Sequence, residues 1–263
     1  HKISPASRIH PLTSQALLLY NKNAKFDRSI AKENIMQYAS VTEGTFLSRP
    51  NRFIAHIQID GRTEICHVKN TGRLRELLIP GATVYLEKSG NPNRKTAYDL
   101  IAVEKGGQII NIDSQIPNRL AEEWMRKNPL FPDLSCLRRE KTYGQSRFDL
   151  YFERGTEKSF MEVKGVTLNL EGIARFPDAP TQRGVKHIQE LCRCREEGYG
   201  AYLLFVIQMK GVRAFAPNRT THPAFADALA DAHKRGVQIL AYDCAVTPEH
   251  IFIDRPVPVL LEK

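Results

Sequence analysis

The sequence predicts a mixed α+β fold in two parts, a small N-terminal β-barrel over residues 41–113 and an α/β domain over residues 114–263 with an αβββαβ order of elements. Three observations carry this reading. Five short runs of alternating apolar residues fall within about 70 residues, a spacing that suits a small Greek-key barrel of the OB-like kind. A single long hairpin signal then occupies residues 146–166, and amphipathic helix patterns stand on either side of it, which is a mixed rather than an all-β rhythm. Finally, 263 residues give room for one large domain or two small ones, and 42% hydrophobic with 25% charged residues is an ordinary globular balance.

In the first part, Phe53, Ala55, Ile57 and Ile59 alternate up to Asp60-Gly61, a strong two-residue hairpin signal, and Glu64 to Val68 returns. Asn70 to Leu78 reads as a short helix capped by Asn70 or Thr71. Pro80-Gly81 turns the chain into Thr83 to Glu87, and Tyr98 to Val103 with Ile109 to Ile112 complete the five strands. OB-like barrels of this size commonly bind single strands or oligonucleotides. His56, Lys69, Arg73, Arg75 and Tyr85 are the candidate contacts. The competing reading is a plain interaction module with solvated arginines.

The second part begins with a helix over Arg119 to Lys127, where Leu120 and Trp124 sit at i and i+4 and Trp124 is expected in the core. Leu137 to Tyr143 supplies the first strand, Arg147 to Glu153 and Lys158 to Val166 the hairpin, and Ala201 to Ile207 a buried strand. Between them, Asp178 or Thr181 can cap a helix whose apolar stripe is Val185, Ile188, Leu191 and Cys192. Pro223 to Lys234 reads as a last helix and Gly236 to Tyr242 as a closing strand. His222 and His233 have no metal-ligand spacing and are read as structural or surface residues. Five cysteines without a C-x-x-C pair indicate neither a zinc ribbon nor a disulfide framework, and fit a reducing cytoplasm. Cys192 and Cys194 are expected as one core thiol and one peripheral thiol.

The chemistry concentrates in the hairpin. With the turn centred on Gly155 and Thr156, Asp149 falls directly across from Glu162, because the two are equidistant from that centre. Directly opposed residues have Cβ atoms roughly 4.5 to 5.5 Å apart. Two carboxylates about 5 Å apart repel by roughly 3 kcal/mol at an effective dielectric of about 20. A positive group is therefore expected, and Lys164 lies on the same face as Glu162 by the period-2 rule. Phe148, Leu150, Phe152, Met161 and Val163 alternate with this polar set, so one face is expected to pack in a core while the other collects charge.

An acid followed by E-x-K on the next strand is the physical content of the PD-(D/E)xK nuclease motif. The carboxylates hold Mg²⁺ (or Mn²⁺) together with water and substrate phosphate, the lysine positions a water, and metal-assisted hydrolysis follows. The bland alternative is a cross-strand ion pair on a solvated sheet face. Gln182 and Lys186, on the first turns of the following helix, would point with its positive dipole end toward a phosphate. Gln189 is read as an ordinary surface residue. Glu140 is either a third metal ligand or a partner of Arg138 or Arg147.

These residues carry a resemblance. The run Thr142-Tyr-Gly-Gln-Ser-Arg-Phe-Asp, the segment Glu162-Val-Lys-Gly-Val-Thr-Leu, and Phe176-Pro-Asp-Ala through Arg183-Gly-Val-Lys-His-Ile-Gln-Glu-Leu are similar to the sugar fermentation stimulation protein family of bacteria and archaea. So are Asn70-Thr-Gly-Arg-Leu and Leu78-Ile-Pro-Gly. The resemblance spans about Val41 to Val259 and implies an N-terminal OB-like domain, a restriction-endonuclease-like domain and DNA binding. It implies Asp149, Glu162 and Lys164 as the nuclease set, with Glu140 at an acidic position upstream. Phe148 stands where the motif's name has proline, a position that varies in that superfamily. Arg147 and Arg183 join the candidate nucleic-acid contacts.

A formal charge of +9 and a pI near 9.3 favour a polyanion partner, but residues 1–35 alone hold six Lys or Arg against two acids. Basicity beyond them is slight, so the site chemistry must carry the functional claim. Residues 1–40 are expected as an extension, either a leader placed upstream or a start site set too early, since Met36-Gln-Tyr-Ala resembles where family members begin. Ala16 to Tyr20 is too short for a signal peptide's apolar core. No apolar run approaches about 18 residues, so no membrane span is expected. Two readings result: a Mg²⁺-dependent nuclease acting on DNA, single-stranded or structured, and a DNA-binding transcriptional regulator of sugar (maltose) metabolism whose nuclease fold has lost its activity.

Overall fold

The structure is a computed structural model and describes residues 36–261. The expected extension lies outside the described residues as far as residue 35, but its last residues belong to the fold. Strand β1 (Met36–Gln37) pairs antiparallel with the last strand of the chain. Met36 and Tyr38 are buried, and the Tyr38 hydroxyl accepts from the Asn111 amide at 2.9 Å. The boundary at residue 40 is thus corrected: a two-residue strand is too short to show a period in the sequence.

The barrel consists of β2 (Val41–Asn51), β3 (Ile54–Ile59), β4 (Arg62–Val68), β5 (Thr83–Lys88) and β6 (Tyr98–Lys105), with β7 (Gln108–Asn111) added beyond β6. Parallel pairing of β4 with β6 through His67↔Asp99 and Val68↔Leu100 closes it. Asp60 and Gly61 make the expected tight hairpin, both at positive φ (49° and 77°). The five expected strands differ in one member, since Ile109 to Ile112 lies outside the closed ring and β2 takes its place. Gly44, Pro50 and polar residues obscure the period of β2, and its register against β3 shifts twice, between Phe46 and Ser48 and between Ser48 and Asn51.

Asn70 to Leu78 is not a helix. The Arg49 guanidinium donates to the carbonyls of Asn70 at 2.7 Å, Gly72 at 2.8 Å and Arg73 at 2.9 Å, so those oxygens are taken from any helical ladder. Asn70 Oδ1 in turn accepts from Gly72 N, and Leu74 sits at φ 49°. A single turn at Leu74 to Leu78 is all that remains of the expected helix.

The second part contains α1 (Ile116–Met125), β8 (Leu134–Tyr143), β9 (Ser146–Arg154), β10 (Glu157–Val166), β11 (Leu168–Leu170), β12 (Ile173–Phe176), α2 (Gln182–Glu196), β13 (Gly200–Ile207), β14 (Ala214–Pro217), α3 (Pro223–Lys234), β15 (Gln238–Val246) and β16 (His250–Pro256). The expected αβββαβ order is met by α1-β8-β9-β10-α2-β13. A seven-stranded sheet runs β1-β16-β15-β13-β10-β9-β8, and β11, β12 and β14 form a separate three-stranded sheet. Strands β10, β13 and β15 are parallel neighbours. Every residue of β13 is buried, as expected for a parallel strand covered on both faces.

The hairpin faces are therefore not one apolar and one charged. Leu150, Phe152, Met161 and Val163 pack with Leu120, Trp124 and Met125 of α1. Phe148 and Phe160 pack on the other side with Ile188, Leu191 and Cys192 of α2. Helix α2 is itself covered by α3, and for that reason Cys192 and Cys194 are both buried, not one core and one peripheral.

One buried charge cluster ties the barrel ends. Asp99 accepts from Arg94 at 2.6 Å and meets His67 at 2.9 Å, with the Lys69 ammonium at 3.1 Å. Burial pushes the Asp99 carboxyl up, but these three donors outweigh it and hold it well below the usual carboxylate range. Because the folded value is depressed, the stabilisation is full above the ordinary aspartate pKa of about 4. It is lost as pH falls through the lower folded value. We expect Asp99→Asn to lower unfolding free energy by about 3 kcal/mol at neutral pH. In urea melts the deficit should shrink toward acid pH, and a small deficit independent of pH would contradict the assignment.

Candidate metal and nucleic-acid site

Strand β10 is the central strand of the site, flanked by β9 antiparallel and β13 parallel. The hairpin register runs from Glu157↔Arg154 to Met161↔Leu150 and ends one pair short of the expected opposition of Asp149 and Glu162. The ladder stops there. In its place the Asp149 side chain enters the pairing: Oδ2 accepts from Val163 N at 2.8 Å, while Oδ1 accepts from the Asn118 amide of α1 at 2.8 Å. Asp149 is thereby anchored from both the neighbouring strand and the helix.

Alternation along β10 puts Glu162 on the face of Phe160, against α2. The residue is only 2% exposed. Oε1 accepts from the Lys164 ammonium and pairs with His187 Nδ1, whereas Oε2 is buried with no hydrogen-bond partner. Burial pushes the Glu162 carboxyl up, but the His187 hydrogen bond and the Lys164 charge outweigh it and hold it below the usual range. Asp149 goes the other way. Burial raises it, the Glu162 charge raises it further, and the Val163 N–H, Lys164 and Asn118 offset only part of this.

Two neighbouring carboxylates, one raised by the other's charge and one carrying a buried oxygen without a donor, form a site short of positive charge. A divalent cation held by Asp149 and Glu162 fits this donor set, since Mg²⁺ takes oxygen ligands and needs only one or two protein carboxylates beside water and phosphate. Among the described residues no three His, Cys, Asp or Glu side chains gather into a ready-made metal cage. Glu140 does not gather with this pair. It falls opposite Asp149 by register, between Arg139↔Leu150 and Lys141↔Phe148, but φ 56° at Glu140 distorts the strand there. Its side chain is 63% exposed and lies 3.5 Å from Arg147.

The other predicted residues divide. Gln182 and Lys186 are exposed on the first turns of α2, whose N-cap is Thr181, accepting from Gly184 N at 3.0 Å. Neither bonds to either carboxylate; Lys186 Nζ reaches the Gln145 carbonyl at 3.5 Å. Arg73, Arg75, Arg147 and Arg183 are exposed, and His56 is half-buried beside Ser48. Lys69 is corrected, because its ammonium is committed to Asp99, Asp113 and Glu87. Tyr85 is corrected too: it is buried in the core that holds Leu120 and Trp124 of α1, with its hydroxyl 3.4 Å from Glu104, so its ring offers no stacking face.

Two residues of the site escaped the sequence reading, Asn118 and His187. His187 lies inside the segment quoted for the family resemblance, five residues after Gln182, but only the tertiary contact of α2 with β10 gives it a partner. A cleft of about 340 Å³ opens just past Lys164 along the chain. Gly165 and Val166, the barrel loop at Asn70 to Gly72, and Arg175 line it.

Comparison with known proteins places this architecture. A family model described as the SfsA N-terminal OB domain matches residues 47–112, and one described as the sugar fermentation stimulation protein RE domain matches residues 115–250. The chain belongs to the sugar fermentation stimulation protein family. It is similar to the family's homolog from Ruminiclostridium cellulolyticum, 57% identical over 226 residues, which cover 86% of this chain and 100% of that one. The Desulfitobacterium hafniense homolog (strain DSM 10664 / DCB-2) is 57% identical over 216 residues, covering 82% and 94%. A solved structure of Pyrococcus furiosus SfsA in complex with Ca²⁺ matches with a TM-score of 0.79 at 30% identity, over 86% of this chain and 98% of that one. No helix among the described residues of this family member is long and apolar enough to cross a membrane.

Proposed function

We propose that this family member is a Mg²⁺- or Mn²⁺-dependent nuclease that hydrolyses phosphodiester bonds in DNA, with Asp149 and Glu162 as metal ligands and Lys164 as the group that positions water. The observation that carries the reading is the buried, unpartnered Glu162 Oε2 beside an Asp149 whose pKa is raised. An ion pair made only for stability would leave no such oxygen, because an unsatisfied buried acceptor costs about 1 to 3 kcal/mol. The Ca²⁺ complex of the Pyrococcus furiosus relative supports an oxygen-ligand cation in this fold.

When bound, the cation would polarise a phosphoryl oxygen and lower the pKa of water. The residues of the chain do the rest. Asn118 and Val163 N fix Asp149, Glu162 is held by two donors on one oxygen, and Lys164, 18% exposed on a flexible stem, can reach from Glu162 toward solvent and phosphate. The cleft past Lys164 has room for a strand flanking the scissile bond. Exposed Arg73, Arg75 and Arg147 supply sequence-independent phosphate contacts.

Incubation of the full chain with single- and double-stranded DNA and RNA, in Mg²⁺, Mn²⁺ or chelator, tests this. The expected result is cleavage of DNA that requires the metal, with binding that weakens as salt rises. Salt-dependent binding with no cleavage under any metal would instead select the inactive regulator.

A further inference from the structure

We infer that His187 and Arg183 act as a fixed pair of positioning residues that hold Glu162 by one oxygen and keep the other open for a cation. This inference rests on the proposed metal site. His187 is buried on α2, with its ring 6.3 Å from that of Phe148. Its Nε2 faces Arg183 Nε at 3.4 Å, and its Nδ1 faces Glu162 Oε1. A guanidinium nitrogen only donates and a carboxylate only accepts. Nε2 must therefore be bare and Nδ1 must carry the proton. Both ends of the ring demand the same tautomer, and the fold supplies a donor at one end and an acceptor at the other to enforce it.

The arrangement answers a difficulty in the site. Lys164 also donates to Oε1, yet a lysine that positions water must leave that oxygen at some stage. If Lys164 were the sole donor, its departure would strand a buried carboxylate oxygen. His187 has a short side chain packed in a core, while Lys164 has a four-carbon stem and partial exposure. His187 is the donor that stays, and Lys164 is the donor that moves. Arg183, read from the sequence as a phosphate contact, acts here through the imidazole.

Two measurements on the full chain test this. In a long-range ¹H–¹⁵N correlation spectrum of the metal-free protein at neutral pH, His187 should show a proton on Nδ1 and none on Nε2. Arg183→Ala, a surface change, should loosen that preference. In Mn²⁺ titrations followed by calorimetry, His187→Leu should weaken binding about 10- to 100-fold, the usual cost of losing a ligand's supporting partner. His187→Asn, whose amide nitrogen falls near the Nδ1 position, should recover most of it, while His187→Gln should not. The Asn and Gln pair keeps the test decisive if the leucine variant fails to fold. A proton on Nε2 in the wild type, or equal Mn²⁺ affinity for Asn and Gln, would overturn the inference. A wild type that binds no Mn²⁺ at all would instead overturn the metal reading on which it rests.

Discussion

Glu162→Gln is expected to remove metal-dependent cleavage almost completely while leaving the protein folded. The substitution keeps shape and volume but takes one negative charge from a site whose second carboxylate is already raised by burial and by Glu162 itself. Loss of a Lewis acid contribution of several kcal/mol corresponds to a rate decrease on the order of a thousandfold. The fold should survive because the Lys164 ammonium, left without its carboxylate, can carry its charge to solvent along a flexible stem. DNA binding without metal should persist or strengthen slightly, since a carboxylate facing phosphate is repulsive until a cation screens it. Cleavage rates in Mg²⁺ and anisotropy titrations in chelator check both halves. Cleavage at the wild-type rate would assign any activity to another source.

Lys164→Ala should separate metal binding from turnover. His187 remains on Glu162 Oε1 and Oε2 remains open, so Mn²⁺ affinity should be unchanged or slightly tighter once a nearby positive charge is gone. Turnover should fall about 10²- to 10⁴-fold, the usual contribution of a positioned group that handles the reacting proton. Calorimetry and single-turnover cleavage on the same preparation give the comparison. Parallel loss of metal affinity and rate would show that Lys164 only organises the carboxylates.

Much of the fold was legible because the elements that made it so have strong local signals. The Asp60-Gly61 turn, the run of β13, and α3, which begins at Pro223 and ends at Lys234 as expected, depend on residues adjacent in the chain. The hairpin register as far as Met161↔Leu150 was legible for the same reason, since a hairpin register follows from its turn. What the sequence hid depends on distant partners. Arg49 dissolves the expected helix at Asn70 to Leu78 from more than 20 residues away. Lys69 is drawn inward by Asp99 and Asp113, so a residue that reads as a phosphate contact serves as an internal counter-ion. Glu140 has the right residue type and the right register, and the positive φ at that position has no signal in the sequence. Asn118 and His187 became site residues only when α1 and α2 closed over the two faces of β10.

On the proposed reading, one divalent cation belongs to Asp149 and Glu162. A crystal of the full chain grown with Mn²⁺ and measured near the manganese absorption edge tests it most directly. One strong anomalous peak is expected within ligand distance of Glu162 Oε2 and an Asp149 carboxylate oxygen, with His187 still on Oε1. An anomalous map with no peak at this pair, in which Glu162 Oε2 remains without a partner, would contradict it.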